Sequence, residues 1–189
     1  LHSIRVSPHV TTTFEVCLRR VCEFKKNYTK TKLTFTVFFI QAVVAALKKH
    51  PIVNASVDGC DILYKRDINI GCAVATDSGL IVPVLKRAQN LATIDVLALE
   101  LQKLIEKSHQ NKLLPSDIVG GTFSITNLGM YGSIHSQPII NQPQVAILSI
   151  GTIIDRCVVV KGKVEVMPIC HIGLTFDHRV IDGHEGALF

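Results

Sequence analysis

The second half of the chain constrains the fold most, because it is dense in strand-like segments and ends in a charged cluster. From Gly120 onward, β-branched and apolar runs are separated by Gly and Pro. Such runs between turn-forming residues are typical of strands. They cover residues 122–126, 145–150, 157–160, 163–167 and 169–176. Strands this close together in sequence predict a sheet at the centre of the fold.

Two helices are predicted in the first part of the chain. Residues 34–49 place apolar side chains on a nearly continuous face, with Thr34 or Thr36 as the N-cap and Pro51 as the stop. Residues 93–109 have apolar residues at helical spacing, an acidic residue in the first turn and basic residues towards the end. Each helix needs a partner layer on which to bury its apolar face.

The other segments of the first part are predicted as strands. They are the alternating run 11–16, the pair 53–57 and 62–64 around the Asp58-Gly59 turn, and the pair 68–75 and 80–85 around residues 77–79. Because hairpins join antiparallel strands, this order favours a mixed sheet over strict strand–helix alternation. The sequence therefore predicts one α/β domain over residues 1–189, a mixed-sheet sandwich with covering helices.

Composition excludes several classes of protein. Of the 189 residues 48% are hydrophobic, which is enough for a core. The net charge is +5, and the basic residues are dispersed except in residues 19–26, unlike the concentrated charge of a nucleic-acid-binding protein. The longest apolar run, residues 37–47, is shorter than the roughly 20 residues of a membrane span. Six cysteines form no CxxC pair. This favours reduced thiols in a reducing compartment over a metal site.

The densest polar cluster, residues 177–185, follows the last apolar strand. Loops at strand ends often carry function, so this is the first candidate site. His178 is a candidate general base, because histidine titrates near neutral pH, or else a surface or capping residue. Asp182 lies four residues further on, where it either orients the His178 imidazole or pairs with Arg179 or another arginine.

A second candidate is the strand bounded by glycines in residues 120–129. Its alternation puts Thr122, Ser124 and Thr126 on one face, where the hydroxyls either donate to a developing oxyanion or face solvent. GxGxxG, Walker, HExxH and GxSxG patterns are absent from the sequence, which argues against nucleotide, zinc-protease and serine-hydrolase chemistry.

The sequence FDHRVIDG at residues 176–183 resembles the HxxxDG signature of the dihydrolipoamide acyltransferases, the core components of 2-oxo acid dehydrogenase complexes. Further blocks follow the order found in that family and cover nearly the whole chain. They are residues 7–11, 51–57, 79–84, and 120–129 together with 138–147.

The resemblance implies a fold and an assembly. The fold would be similar to that of chloramphenicol acetyltransferase. Homotrimers with active sites between subunits would build a cubic or dodecahedral core. The partners would be 2-oxo acid decarboxylase and dihydrolipoamide dehydrogenase components, with no nucleic acid and no membrane. Such complexes are expected in the bacterial cytoplasm or the mitochondrial matrix.

The resemblance also implies a reaction, the transfer of an acyl group between a dihydrolipoyl thiol and the thiol of coenzyme A, without a metal. His178 would be the base that takes the proton of the attacking thiol, and Thr126 would donate to the oxyanion, with Asp182 as the third catalytic residue. The residues expected at the coenzyme are Thr34, Thr126, Asn127, Gly151 and Ile153.

Some positions depart from the family pattern. Thr126 stands where many members have Ser and is similar to the succinyltransferases, so a succinyl group is favoured over branched-chain or acetyl groups. Residues 15–33 are shorter than usual, and Arg19 and Arg20 are candidates for contacting the coenzyme's phosphates. The catalytic domain is expected to be incomplete at both ends. The lipoyl group would be carried on a domain outside this chain, as would the subunit-binding function.

Two alternatives remain at this point. One is a non-catalytic structural subunit of the same kind of core, which would be expected to lose the base or the hydroxyl; His178 and Thr126 are both present. The other is a free-standing acetyltransferase acting on an antibiotic or another small molecule. The blocks at residues 79–84 and 120–129 argue against that second alternative.

Overall fold

A six-stranded mixed sheet forms the centre of the computed structural model, which describes residues 2–77 and 79–189. The helices are α1 (His2–Val6), α2 (Arg19–Asn27), α3 (Phe35–Lys49), α4 (Ile94–His109) and α5 (Gly183–Leu188). The strands are β1 (His9–Cys17), β2 (Ala55–Asp58), β3 (Asp61–Tyr64), β4 (Ile70–Cys72), β5 (Val74–Thr76), β6 (Gly79–Ile81), β7 (Val84–Leu85), β8 (Phe123–Asn127), β9 (Ala146–Val160) and β10 (Lys163–Asp177).

The strand order of the large sheet is β1-β10-β9-β8-β4-β7. β8 runs parallel to both of its neighbours, β9 and β4, and the other pairs are antiparallel. Two small hairpins, β2–β3 and β5–β6, stand apart from the large sheet. The predicted mixed sheet is confirmed, as are the two hairpin regions. The second region is divided between the large sheet and the β5–β6 hairpin.

The prediction of four short strands between residues 145 and 176 is wrong. They form only β9 and β10, two antiparallel strands of 15 residues each. Pro168 does not end β10, although a proline has no backbone N–H to donate to a neighbouring strand. It lies just beyond Ile169, the last residue of β10 that pairs with β1, so pairing with β1 does not require that N–H. Only the Lys161-Gly162 turn interrupts the run, with both residues at positive φ.

Helices α3 and α4 occupy the predicted positions and bury their apolar faces. Val37, Ile40 and Leu47 of α3 are almost completely buried, as is Leu101 of α4. They join one core with the sheet residues Phe123 and Phe176. No helix within residues 2–77 and 79–189 is long and apolar enough to cross a membrane.

The sequence did not predict α2, which lies within the segment expected to be short. Its attachment is tertiary: Arg19 pairs with Glu165 of β10 at 2.9 Å, and the Tyr28 hydroxyl, just after the helix, donates to Asp95 of α4 at 2.6 Å. The Phe24 ring stacks on Tyr28 with centroids 5.1 Å apart. The nine residues of α2 are also amphipathic, so a local helical pattern was present, but it is short and was not recognised.

The loop between β8 and β9 lies against the sheet face opposite the helices. Ser149 donates to the carbonyl of Ser136 at 3.1 Å, so this loop is hydrogen-bonded to the first part of β9. At Gly151 the backbone of the loop comes so close that an added Cβ would lie 2.1 Å from the carbonyl oxygen of Ile134. Glycine is therefore required at the point where the loop crosses β9.

Candidate functional site

A cavity of about 710 Å³ lies between the sheet and the ends of the two long helices. The first turn of α3, the last turns of α4, the ends of β8 and β4, and the middle of β9 form its walls. All five residues expected at the coenzyme line this cavity: Thr34, Thr126, Asn127, Gly151 and Ile153. The fold therefore brings together residues that are far apart in sequence.

Thr126 lies near the carboxyl end of β8, level with Ser149 of β9. Its side chain is half-buried, and no other residue in the described ranges hydrogen-bonds its hydroxyl. A hydroxyl without an internal partner is free to donate to a bound group. Its position on a central strand gives that donor a rigid support.

Asn127 connects the end of β8 to its surroundings. Its amide nitrogen donates to the Thr36 hydroxyl at 3.2 Å, and its amide oxygen accepts from the Gly129 backbone at 3.1 Å. Thr34 is the N-cap residue of α3, but its side chain makes no capping hydrogen bond. The sequence predicts a threonine side chain as the N-cap of this helix. In the structure the Thr34 side chain is instead exposed in the cavity wall.

Gly151 and Ile153 form part of the β9 wall. The approach of backbone to Gly151 is repeated at Gly129, where an added Cβ would lie 2.2 Å from the Gly151 carbonyl oxygen. These two glycines let the loop after β8 pack directly on β9. The wall of the cavity is consequently backbone at this point, with no side chain projecting from Gly151.

Basic side chains that the sequence analysis missed also line the cavity. They are Lys25, Lys32 and His109. The ammonium of Lys25 lies 5.2 Å from the centroid of the Phe35 ring, in cation–π geometry. The predicted phosphate contacts do not line it: Arg19 is paired with Glu165, and Arg20 lines a separate shallow groove beside Phe24. A helix prediction for α2 would have been needed to select Lys25, whereas Lys32 lies in the segment between α2 and α3.

His178 does not line this cavity. It follows β10 directly, its backbone N–H donates to the Pro8 carbonyl at 2.9 Å, and its side chain is exposed. Its ring lies 6.0 Å from the Phe176 ring. Within residues 2–77 and 79–189, nothing hydrogen-bonds the imidazole. Both ring nitrogens are therefore available to groups from outside this chain.

In the described part of the chain, Asp182 neither orients His178 nor pairs with an arginine. Its carboxylate accepts from the Glu185 backbone at 2.8 Å and so caps the N-terminus of α5. Arg179 instead pairs with Asp177, through contacts of 2.6 to 3.2 Å. The sequence left open whether Asp182 orients His178 or pairs with an arginine; in the structure the tight turn brings Arg179 back onto the nearer carboxylate of Asp177.

Asp177 is buried at the end of β10 with 1% of its surface exposed. Burial alone would raise the pKa of its carboxyl. Hydrogen bonds from Arg179 and Ser7, together with the charge of Arg179, outweigh that effect, so the pKa lies below its usual value. The ionised carboxylate is thus an anchor for the turn that carries His178.

Thr126 and His178 are far apart in one chain. Thr126 pairs with Ser149 and Ser149 with Gly173, which puts Thr126 level with Gly173, about 10 Å away across two strand spacings. Asp177 lies four residues beyond Gly173, about 13 Å along β10, and His178 comes next. A separation of more than about 15 Å excludes direct cooperation of the two side chains within one subunit.

Comparison with known proteins identifies the family. The family model described as 2-oxoacid dehydrogenases acyltransferase (catalytic domain) matches residues 1–189. The dihydrolipoyllysine-residue succinyltransferase component of the 2-oxoglutarate dehydrogenase complex from Rickettsia typhi is 47% identical over 167 residues, which is 88% of this chain and 42% of that protein. The Escherichia coli component is 40% identical over 187 residues, covering 95% and 46%. The chain spans less than half the length of these relatives.

Solved structures agree with this assignment. The cubic core of a pyruvate dehydrogenase multienzyme complex superposes with a TM-score of 0.93 at 31% identity, covering 98% of this chain and 79% of that one. The same TM-score and coverage, at 30% identity, apply to the Azotobacter vinelandii dihydrolipoamide acetyltransferase, in a study of the catalytic roles of a serine, a histidine and an asparagine. Chloramphenicol acetyltransferase, with a TM-score of 0.59 at 15% identity over 96% of this chain and 85% of that one, shares the fold, as predicted. The chain therefore belongs to the family of 2-oxoacid dehydrogenase acyltransferase catalytic domains.

Proposed function

We propose that this chain transfers an acyl group, preferentially succinyl, between the thiol of a dihydrolipoyl group and the thiol of coenzyme A. One observation carries the proposal: the residues that the family resemblance assigns to the coenzyme line a single cavity, with a free hydroxyl on Thr126. Lys25 and Lys32 in the same wall suit an anionic ligand that carries phosphates. The names of the curated relatives support succinyl as the acyl group.

The proposed chemistry needs a base and an oxyanion donor. A free thiol is only a few per cent ionised at neutral pH, so His178 takes its proton as the sulfur attacks the thioester carbon. The new carbon–sulfur bond leaves a negative charge on the former carbonyl oxygen, to which the Thr126 hydroxyl donates. When the original carbon–sulfur bond breaks, the departing sulfur takes the proton back from His178.

These roles of His178 and Thr126 require two subunits. In one chain His178 and Thr126 are more than about 15 Å apart, too far for a base and an oxyanion donor that act on one reacting carbon. We therefore place His178 of one subunit at the cavity of its neighbour in a homotrimer. The similarity to the cubic core of a related complex supports assembly into a larger particle.

The spacing of the site residues supports the assignment. In the Azotobacter vinelandii acetyltransferase, the serine, histidine and asparagine under study are spaced as Thr126, His178 and Asp182 are in this chain. On this comparison Asp182, which caps α5 in its own chain, is the third member of the site, at the position of the asparagine. The decarboxylase and dihydrolipoamide dehydrogenase components are the proposed partners, in the bacterial cytoplasm or the mitochondrial matrix.

The experiment is to follow thioester formation on dihydrolipoamide with succinyl, acetyl and isobutyryl coenzyme A as donors. We expect the succinyl donor to react fastest and His178→Ala to abolish transfer while leaving the oligomeric state unchanged. Absence of transfer with all three donors from a correctly assembled oligomer would contradict the proposal and favour the structural-subunit alternative. Faster transfer of acetyl or isobutyryl would overturn only the choice of acyl group.

A further inference from the structure

The turn that carries His178 is held by the segment preceding β1. The His178 backbone N–H donates to Pro8, and β1 begins at His9, which pairs with Asp177. On either side of His178, the Asp177 carboxylate and the Arg179 guanidinium are joined by the contacts already described. The backbone position of His178 therefore depends on the residues just before β1.

Ser7 connects the turn that carries His178 to the loop that contains Gln142. Its hydroxyl oxygen accepts from Arg179 Nη2 at 3.3 Å and from Gln142 Nε2 at 2.8 Å. Only 2% of its surface is exposed. A buried hydroxyl with two donors converging on it fixes the position of both. One of those donors is Arg179, the residue that follows His178.

A second connection strengthens the same link. The Ser7 carbonyl lies 2.6 Å from His9 Nδ1, and His9 Nε2 accepts from the Ile140 backbone at 3.1 Å. Since Nε2 accepts, the proton must lie on Nδ1, which donates to Ser7. The segment at residues 140–142 is thus bound to Ser7 through the side chains of both His9 and Gln142.

We propose that Ser7, held in place by Gln142, is a positioning residue for the base: it fixes Arg179 and thereby the turn from which His178 reaches the neighbouring subunit. The inference rests on the proposed function, and neither Ser7 nor Gln142 touches the reacting atoms. An imidazole that must act across a subunit boundary depends strongly on the orientation of its backbone. Loss of this support should slow the chemical step without weakening coenzyme binding.

The chain supplies a matched control in Ser3. Its hydroxyl also accepts from Gln142, at 3.0 Å, and it is similarly buried, but it makes no contact with Arg179. The experiment compares Ser7→Ala, Ser7→Thr and Ser3→Ala with the unmodified assembled protein. It measures kcat, the KM for each substrate and the unfolding temperature.

We expect Ser7→Ala to lower kcat about 10-fold at unchanged KM for coenzyme A, because a misplaced base slows only the reaction step. Ser7→Thr retains the hydroxyl and should restore most of the rate, and Ser3→Ala should keep the full rate. Equal kcat for Ser7→Ala and Ser3→Ala, with an active unmodified protein, would overturn the positioning role alone. An inactive unmodified protein would overturn the proposed function itself.

A further variant covers the case in which Ser7→Ala does not fold. Gln142→Met removes the donor that holds Ser7 but leaves the contact between Ser7 and Arg179 intact. We expect a smaller loss of kcat, about threefold, again at unchanged KM. A loss of stability with no change of kcat per folded oligomer would contradict the proposal.

Discussion

Thr126 and His178 lie at opposite ends of the central sheet, one at the carboxyl end of β8 and the other beyond the end of β10. The strand register fixes their separation, because β8, β9 and β10 are continuously hydrogen-bonded neighbours. A rotamer change cannot close a gap of more than about 15 Å. If both residues serve one reaction, each subunit contributes its His178 to one active site and its Thr126 to another.

Complementation between two inactive variants tests that arrangement. Thr126→Ala and His178→Ala should each be inactive alone, because removing an oxyanion donor or a base costs about 100-fold or more. Oligomers formed by co-expressing the two in equal amounts should regain about one quarter of the unmodified activity, since that fraction of the interfaces joins an intact histidine to an intact threonine. Activity no higher than that of the separate variants would show that the two residues act within one subunit.

The lysines of the cavity wall should matter for the coenzyme alone. Lys25→Ala and Lys32→Ala are each expected to raise the KM for coenzyme A about threefold at low salt, with less effect at high salt, because exposed charge pairs are weak and screened. The KM for dihydrolipoamide should not change. Arg20→Ala is the control, since Arg20 lines a different groove. An equal increase in that control would argue against a specific role for the lysines.

Local pattern was enough to predict α3, α4, β8 and the polar turn after β10, because each has either helical or strand periodicity or an abrupt change in polarity. The helix α2 was missed although its nine residues are amphipathic, because so short a segment is held in place mainly by distant partners such as Glu165 and Asp95. Local pattern also failed at the break predicted between the two halves of β10, because a proline is tolerated where the neighbouring strand has ended.

The candidate site was likewise predicted only in part from the sequence. His178 stands out by residue type and position and Thr126 by the resemblance to the family, whereas the partner of Arg179 depends on the geometry of a turn. Spacing in sequence allowed Asp182 either to orient His178 or to pair with an arginine, but the folded chain pairs Arg179 with Asp177 and uses Asp182 as a helix cap. The separation of His178 and Thr126 follows only from the strand register, which the sequence alone does not give.

Gly151 should not tolerate even the smallest side chain. A Cβ at this position would overlap the Ile134 carbonyl group, which is backbone and cannot rotate away. We expect Gly151→Ala to destabilise the protein by about 3 kcal/mol in urea unfolding at a fixed protein concentration. Gly183→Ala, where the added Cβ meets nothing within 4 Å, should change stability by less than about 0.5 kcal/mol. Similar unfolding curves for both variants would refute the close crossing of the loop over β9.

Stability should depend on pH through Asp177. The pKa of this carboxyl is lower in the folded protein than its usual value, so its ionisation stabilises the fold at all pH values above the unfolded pKa of about 3.9. That stabilisation is lost as the pH falls through the lower, folded pKa. Unfolding temperatures recorded between pH 7 and pH 3 should fall more steeply for the unmodified protein than for Asp177→Asn. Parallel curves would mean that this carboxyl does not contribute.

The long β9–β10 hairpin sets the distance between the two half-sites, which are the cavity with Thr126 and the turn with His178. Gly151 and Ile153 of the cavity wall lie on one arm, and the other arm leads to His178. Because successive side chains of a strand point to opposite faces, gaining or losing one residue in the paired portion would turn a half-site to the wrong side of the sheet. Length can change freely only near the Lys161-Gly162 turn, beyond the end of β1. Evolution can therefore lengthen or trim the tip of this hairpin while the distance between the two half-sites stays constant.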